Sequence, residues 1–460
     1  MVQQKSRSRK LLITLALVLA IPILLAGALF YAAFIEPDNI NAQRPLLPLP
    51  VWDQAKFTSE KNPYRYYERA MNLVTTQDAT VLDIYTRQSR SAQLSDDEKP
   101  VTETQVRNSL TNVQPAIIEL RAGAALSTSD FVAPYKPPSL LALFAEYALM
   151  RNLARVTAAD ANWQVSHGKS AQAVDELLAL LDMGNDLFQG PALIGGLAGI
   201  AIDRLPDRNL HRLIGSPSLT AADYHHIARE LARLDAERPS IAHLMAGEYY
   251  FAHGGVLEVL NASPRDAAQL LSIFGTGEEE ETSRDWPDMI YLAFPGRKSR
   301  TLDNFEQTWQ EMIKAYGKPY PVAISFDATK SLPENDLVNR AIFSSYSGTL
   351  VKNVEQITLM RGLLLMAALE AYRLERKSYP ASLQQLVAGG YLAKAPTDPF
   401  TADQPFSYKL QQKGYLLYSV GADLTDNGGK VMQPFGKISA GNPGDIVFAP
   451  GLDLWKKPRN

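Results

Sequence analysis

The feature that most restricts this chain is an uncharged run near its start. From Leu11 to Phe34 there is no Asp, Glu, Lys or Arg. As a helix, a run of that length measures about 36 Å, against about 30 Å for the hydrocarbon core of a bilayer. Lys5, Arg7, Arg9 and Lys10 precede it, and Glu36 and Asp38 follow it closely. Basic flanks stay on the cytoplasmic side, so an anchor over 11–34 leaves residues 1–10 in the cytoplasm and everything after the helix beyond the membrane. A cleaved signal peptide is the competing reading, with Ala26-Gly27-Ala28 and Tyr31-Ala32-Ala33 as small-residue sites. Its apolar core is usually about 7 to 15 residues, shorter than this one. Ser8-Arg9-Lys10 before the run, and no acid inside it, disfavour a prepilin leader.

Beyond the run, Pro37, Pro45, Pro48 and Pro50 make 35–50 a semi-rigid spacer. At 460 residues, length alone allows two to three domains, each with its own core. A hydrophobic fraction of 46% and a charged fraction of 21% describe a globular chain, not a disordered one. The net charge of −3 gives no basic footprint for nucleic acid. Cysteine is absent, which removes disulfides, thiolate zinc sites and cysteine nucleophiles together.

Residues 51–330 read as one all-helical unit or two lobes of one. Apolar residues recur at spacings of three and four from Tyr64 to Leu73, from Val106 to Leu120 and almost throughout 139–213. The turn at His167-Gly168-Lys169 resembles a single tetratricopeptide-type hairpin, without a second copy at a fixed period. Gly195, Gly196 and Gly199 lie in an apolar stretch too short to cross a membrane, and are expected to admit a neighbouring helix closely. Thr220 and Asp223 form a capping-box pattern. Glu278 to Glu281 read as a solvated loop, and Phe305, Trp309, Met312 and Ile313 as one more helix. Pro319, Pro321 and Pro333 punctuate a boundary before a second unit at 335–460.

Few residues of the helical unit carry a chemical signature. His243, Glu248 and His253 stand five residues apart, about 140° each around a helix, so one straight helix cannot converge them on a metal. No serine elbow, phosphate loop or dinucleotide fingerprint occurs. His225 and His226 read as surface and half-buried neighbours.

The C-terminal unit is more informative. A long apolar-faced helix runs from Leu363 to Lys377 and stops at Tyr379-Pro380, since the residue before proline avoids the helical region. Asp398-Pro399-Phe400 marks a turn, and 406–408, 415–418 and 446–448 alternate as short strands. They are expected to form an antiparallel sheet over the helix face bearing Leu364, Ala368, Tyr372 and Leu374. Asp423, Asp426 and Asn427 then fall in a glycine-rich loop with Gly421, Gly428 and Gly429. Hard oxygens on such a loop suit calcium; an ion-free turn bonding its own backbone has the same composition.

Over roughly 350–448 these motifs resemble the globular part of the major pseudopilins of type II secretion systems. The residues that carry the likeness are Tyr372-Arg373, Tyr379-Pro380, Tyr391-Leu392, Pro396, Asp398-Pro399-Phe400, Ser419 to Asp423 and Asp445-Ile446. The resemblance implies a calcium loop with Asp423, Asp426 and Asp445 as side-chain ligands, and Leu417 and Ser419 as carbonyl or hydroxyl ligands. The chain departs from the family by the extra residues 430–444 and by carrying this unit far from its membrane run.

The expected protein is therefore mainly α, with an N-terminal transmembrane helix, an all-helical extracytoplasmic domain and a C-terminal α+β pseudopilin-like domain. It is expected in a bacterial inner membrane with its bulk in the periplasm, binding envelope proteins without catalysis and stabilised by calcium. An extracytoplasmic enzyme sited in the helical unit, and a secretion or pilus component, are the alternatives.

Overall fold

The computed structural model describes residue 47 and residues 54–89, 98–134, 145–272, 296–431 and 443–455, apart from positions 191, 345, 347 and 453. The anticipated span at 11–34, its spacer apart from Leu47, and the acidic tract at 278–281 lie outside the described residues. No described helix is long and apolar enough to cross a membrane.

Fifteen helices are described: α1 (Gln54–Phe57), α2 (Pro63–Leu73), α3 (Thr76–Ser89), α4 (Glu103–Ala124), α5 (Ala145–Ser166), α6 (Ser170–Asp186), α7 (Leu193–Leu213), α8 (Ala221–Glu237), α9 (Ile241–Asn261), α10 (Pro264–Ser272), α11 (Arg297–Tyr316), α12 (Tyr320–Ala323), α13 (Leu337–Ser344), α14 (Thr349–Arg376) and α15 (Gln384–Ala388). Three strands complete the described fold: β1 (Ser407–Leu410), β2 (Tyr415–Ser419) and β3 (Ile446–Phe448). They form an antiparallel sheet in the order β1-β2-β3, with Tyr408 opposite Leu417 and Leu417 opposite Phe448. The fold is thus mainly helical with one small sheet near the C-terminus.

Local signals explain the helix starts. The Thr220 hydroxyl accepts from the Asp223 N–H while the Asp223 carboxylate accepts from the Thr220 N–H, closing the anticipated box before α8. Thr102 and Gln105 do the same before α4. The α7 glycines act through packing. A Cβ on Gly199 would come within 2.5 Å of the Gly184 carbonyl oxygen, and one on Gly196 within 2.5 Å of Leu244.

Helix α6 separates two apolar cores. Val174, Leu177, Leu178 and Leu181 belong to one, and Ala179, Leu180 and Met183 to the other. A helix buried on both sides carries apolar residues around most of its circumference, and in α6 they share it with the buried Glu176, Asn185 and Asp186. The smaller core joins α2 to α5 with parts of α6 and α7. The larger contains residues from Ala161 to Leu454, on both sides of the proline-rich stretch at 315–335.

Helix α14 joins those sides. It packs along α8 and crosses α7, and also contacts β2 and β3. From Thr349 to Ala371 every residue except Lys352, Ile357 and Arg361 is buried. The sheet meets α14 at a very close approach: a Cβ on Gly362 would lie 2.1 Å from the Phe448 ring. Arg361, the charge that interrupts the apolar run, donates from Nε to both Asp235 oxygens on α8 and from Nη1 to the Thr397 carbonyl. After β3 the chain returns to α7. Pro450 packs against Gly215, and Trp455 meets His211 edge-on, with the Arg208 guanidinium 5.7 Å from its ring.

Candidate functional site

The loop around Asp445 was the site anticipated from sequence. Asp445 is buried, and its Oδ1 accepts from the Asn427 N–H at 3.2 Å. Its Oδ2 accepts from the N–H groups of Gly429 at 2.6 Å and Lys430 at 3.3 Å. The Asp445 N–H in turn donates to the Lys430 carbonyl. Gly421, Gly428 and Gly429 all have positive φ, which turns the backbone donors inward. Burial raises the Asp445 carboxyl above its ordinary value, and the three N–H groups act against that rise.

The other four residues are engaged elsewhere. Asp426 accepts from the Tyr418 hydroxyl and the Gly428 N–H, and Asp423 accepts from the Thr425 N–H. The Ser419 hydroxyl donates to Asp398, whose carboxylate also accepts from the N–H groups of Phe400 and Val420. Leu417 sits in the central strand with partners on both sides, where carbonyls point along the ladder. Calcium needs six to eight oxygens turned to one centre. Among the described residues no three His, Asp or Glu side chains gather in that way. In the structure these donors are not turned to one centre, and the loop is ordered around the Asp445 carboxylate.

Sequence reading missed the carboxylates of the bundle. Asp186 on α6 accepts from the Tyr67 hydroxyl at 2.6 Å and from the Thr128 hydroxyl, and burial raises it to about 7. Glu248 accepts from the Leu193 N–H and the Tyr346 hydroxyl, and loss of hydration raises it to about 7. Glu176 is raised to about 9 by burial, with Asp160 beside it. Asp203 and Asp207 on α7 are wholly inaccessible. Their signal was present: Gly196, Gly199, Asp203 and Asp207 follow the three- and four-residue spacing of the buried stripe. The anticipated dispersal of His243, Glu248 and His253 is observed. His243 is exposed, while His253 lies 3.3 Å from Glu306 on α11.

The solvent-reachable counterpart is a cleft of about 550 Å³ between α6, α8 and the end of α4. Helix α8 presents His226, Glu230, Arg233 and Glu237 at helical spacing, and α6 answers with Asp175 and Asp182. Arg233 is its hub, within 2.6 Å of Asp182, 3.0 Å of Glu230 and 2.7 Å of Glu237. Arg229 donates to His226 Nδ1 at 2.8 Å, so the neutral ring carries its proton on Nε2, 3.1 Å from Asp175. Burial raises Asp182 to about 6, with Arg233 opposing the rise. A second cleft, of about 540 Å³, is mainly apolar and is lined by Met312, Ile324, Phe326, Phe343, Leu350 and Val351, with Lys352 and Asp327 also on its wall.

No protein-family model matches the chain, and neither a curated protein nor a solved structure does.

Proposed function

We propose that this chain is a membrane-tethered extracytoplasmic scaffold that binds envelope proteins without catalysis, with a pseudopilin-like C-terminal unit kept for its fold. The observation that carries the reading is the burial of α14. A filament subunit must offer its long helix to its neighbours, whereas here α7 and α8 of the same chain already cover it. The apolar cleft beside α14 adds a surface of the kind binding modules use. The anchoring half of the reading rests on the 11–34 run and its basic flank.

The chain has no cysteine, which makes a direct experiment clean. Asp235→Cys with Arg361→Cys in the full-length protein is treated in intact cells with a membrane-impermeant bis-maleimide. Rapid cross-linking within one chain, without permeabilisation, is expected. Protection until the cells are opened overturns the location. Cross-links mainly between chains overturn the captive helix and revive a filament component.

The charged cleft favours a second reading, an extracytoplasmic enzyme using Asp182 or His226 as acid or base. Every charged side chain named there is already held by an opposite charge, which supports a structural role over a poised one.

A further inference from the structure

A set of charges where α7, the end of α8 and α14 meet has no part in either cleft. Asp203 and Asp207 lie one turn apart on α7, facing the same way. Asp203 Oδ2 accepts from Arg238 Nη1 at 3.1 Å, and that guanidinium lies 3.8 Å from the centre of the Phe188 ring. Asp207 Oδ2 accepts from the Gln356 amide of α14. Arg204 Nη2 stands 3.7 Å from Glu355 Oε2, also on α14. Helix α6 closes the side: a Cβ on Gly184 would fall 1.8 Å from Asp203 Oδ1. Further along α7, Arg208 and His211 meet Trp455 of the returning C-terminal segment. Pro206, between the two acids, has no N–H to give the Ile202 carbonyl.

The acids of the cluster are not equally paired. Arg238 pairs with Asp203 and Arg204 stands beside Glu355, whereas Asp207 has no ion pair. A buried carboxylate without a countercharge costs far more than taking up a proton near neutral pH. Asp207 is the member whose bonded partner is a neutral amide. Its Oδ1 has no hydrogen-bond partner, and neither does Asp203 Oδ1; the free donors nearby, Nε and Nη2 of Arg238 and Nε of Arg204, bond neither oxygen, so a proton on Asp207 removes the charge from an acceptor that nothing satisfies. We propose that Asp207 carries a proton that locks α14 onto α7, so that the joint between the bundle and the C-terminal unit loosens as the surroundings turn alkaline. The direction of titration agrees: burial first, and the Asp203 charge second, hold the Asp207 carboxyl well above the ordinary carboxylate range. The proposal does not rest on where the protein works or on what it binds.

The test is thermal unfolding of the full-length chain between pH 6 and 9. Asp207→Asn is expected to match the parent at pH 6 and to melt about 2 °C or more above it at pH 8.5. Parallel curves overturn the proposal. Should Asp207→Asn not fold, Asp203→Asn decides: removing the neighbouring anion is expected to flatten the alkaline fall, and an unchanged slope is a refutation. His211→Gln is expected to keep the parent slope; losing it assigns the proton to the imidazole and overturns the assignment to Asp207. Amide exchange, corrected for its intrinsic pH dependence, locates the effect. Protection from Leu359 to Leu365 should fall with pH relative to Leu417, and uniform loss overturns a local joint.

Discussion

Asp445 and Asp207 are both buried carboxylates, yet the chain accommodates them in opposite ways. Asp445 is surrounded by three N–H groups from residues 427–430 of its own loop. Asp207 depends on side chains from α14 and α8, far away in sequence, and keeps an unpartnered oxygen. Backbone donors are neutral, local and fixed by the glycine conformations, so they hold an anion without importing a countercharge. Side-chain partners arrive only when distant helices have packed, and they bring charges that must balance. The loop is therefore self-sufficient, whereas the bundle acids are conditional on the whole fold.

The largest expected effect that sharpens this contrast is Asp203→Ala. It strands the Arg238 guanidinium, both groups being almost inaccessible, and should cost about 3–5 kcal/mol in denaturant unfolding. Asp445→Ala should cost less, about 1–3 kcal/mol, because neutral donors at a loop can turn to water. If the loop variant proves the more damaging, the contrast fails.

Global stability should depend on pH with a defined sign. Asp203 is raised to about 6, and Asp186 and Glu248 to about 7, whereas in the unfolded chain such groups titrate near 4. The native state thus holds more protons than the unfolded one between about pH 4 and 7, and stability falls as pH rises through that window. His253, held below its ordinary value by burial, opposes this only on the acid side. Melting should be higher at pH 5.5 than at pH 8; the reverse order breaks the account of the bundle.

Calcium tests the other member of the pair. With its carboxylates bonded to N–H and hydroxyl groups, the loop should melt alike in calcium and in chelator. A site filled at 100 times its Kd adds about 2.7 kcal/mol, so a clear calcium shift would restore the ion expected from sequence. The smallest effect concerns Lys377, which ends α14 at φ 60. Lys377→Gly should stabilise the chain by up to about 1 kcal/mol, since glycine adopts that conformation freely.

Much of the architecture was legible locally. The Thr220 box, the α7 glycines, the stop at Tyr379-Pro380 and all three strands follow from short-range chemistry, and the structure places each within a residue or two. Helix α9 was not singled out, although Ile241, Met245, Tyr249, Ala252, Val256 and Val259 stand at three- and four-residue spacing; the interleaved Ala, Gly, Tyr and Phe on its other faces blur the stripe. Asp445 was picked out correctly as a loop residue, but composition does not distinguish an acid that binds an ion from one that binds N–H groups. Arg361, legible only as an interruption, proved to tie α14 to Asp235. The partners of Asp203, Asp207 and Arg233 lie on other helices, and no spacing within one helix identifies them.

The returning segment after β3 has a consequence for how the chain acquires its shape. Pro450, Leu454 and Trp455 close over helices that emerge from the ribosome long before them. Until they arrive, Gly215 and the end of α7 stay uncovered, and the larger core is open on one side. Partly made chains should therefore be conspicuous to chaperones and proteases, and trimming those few residues should lower abundance in the cell more than their small area suggests.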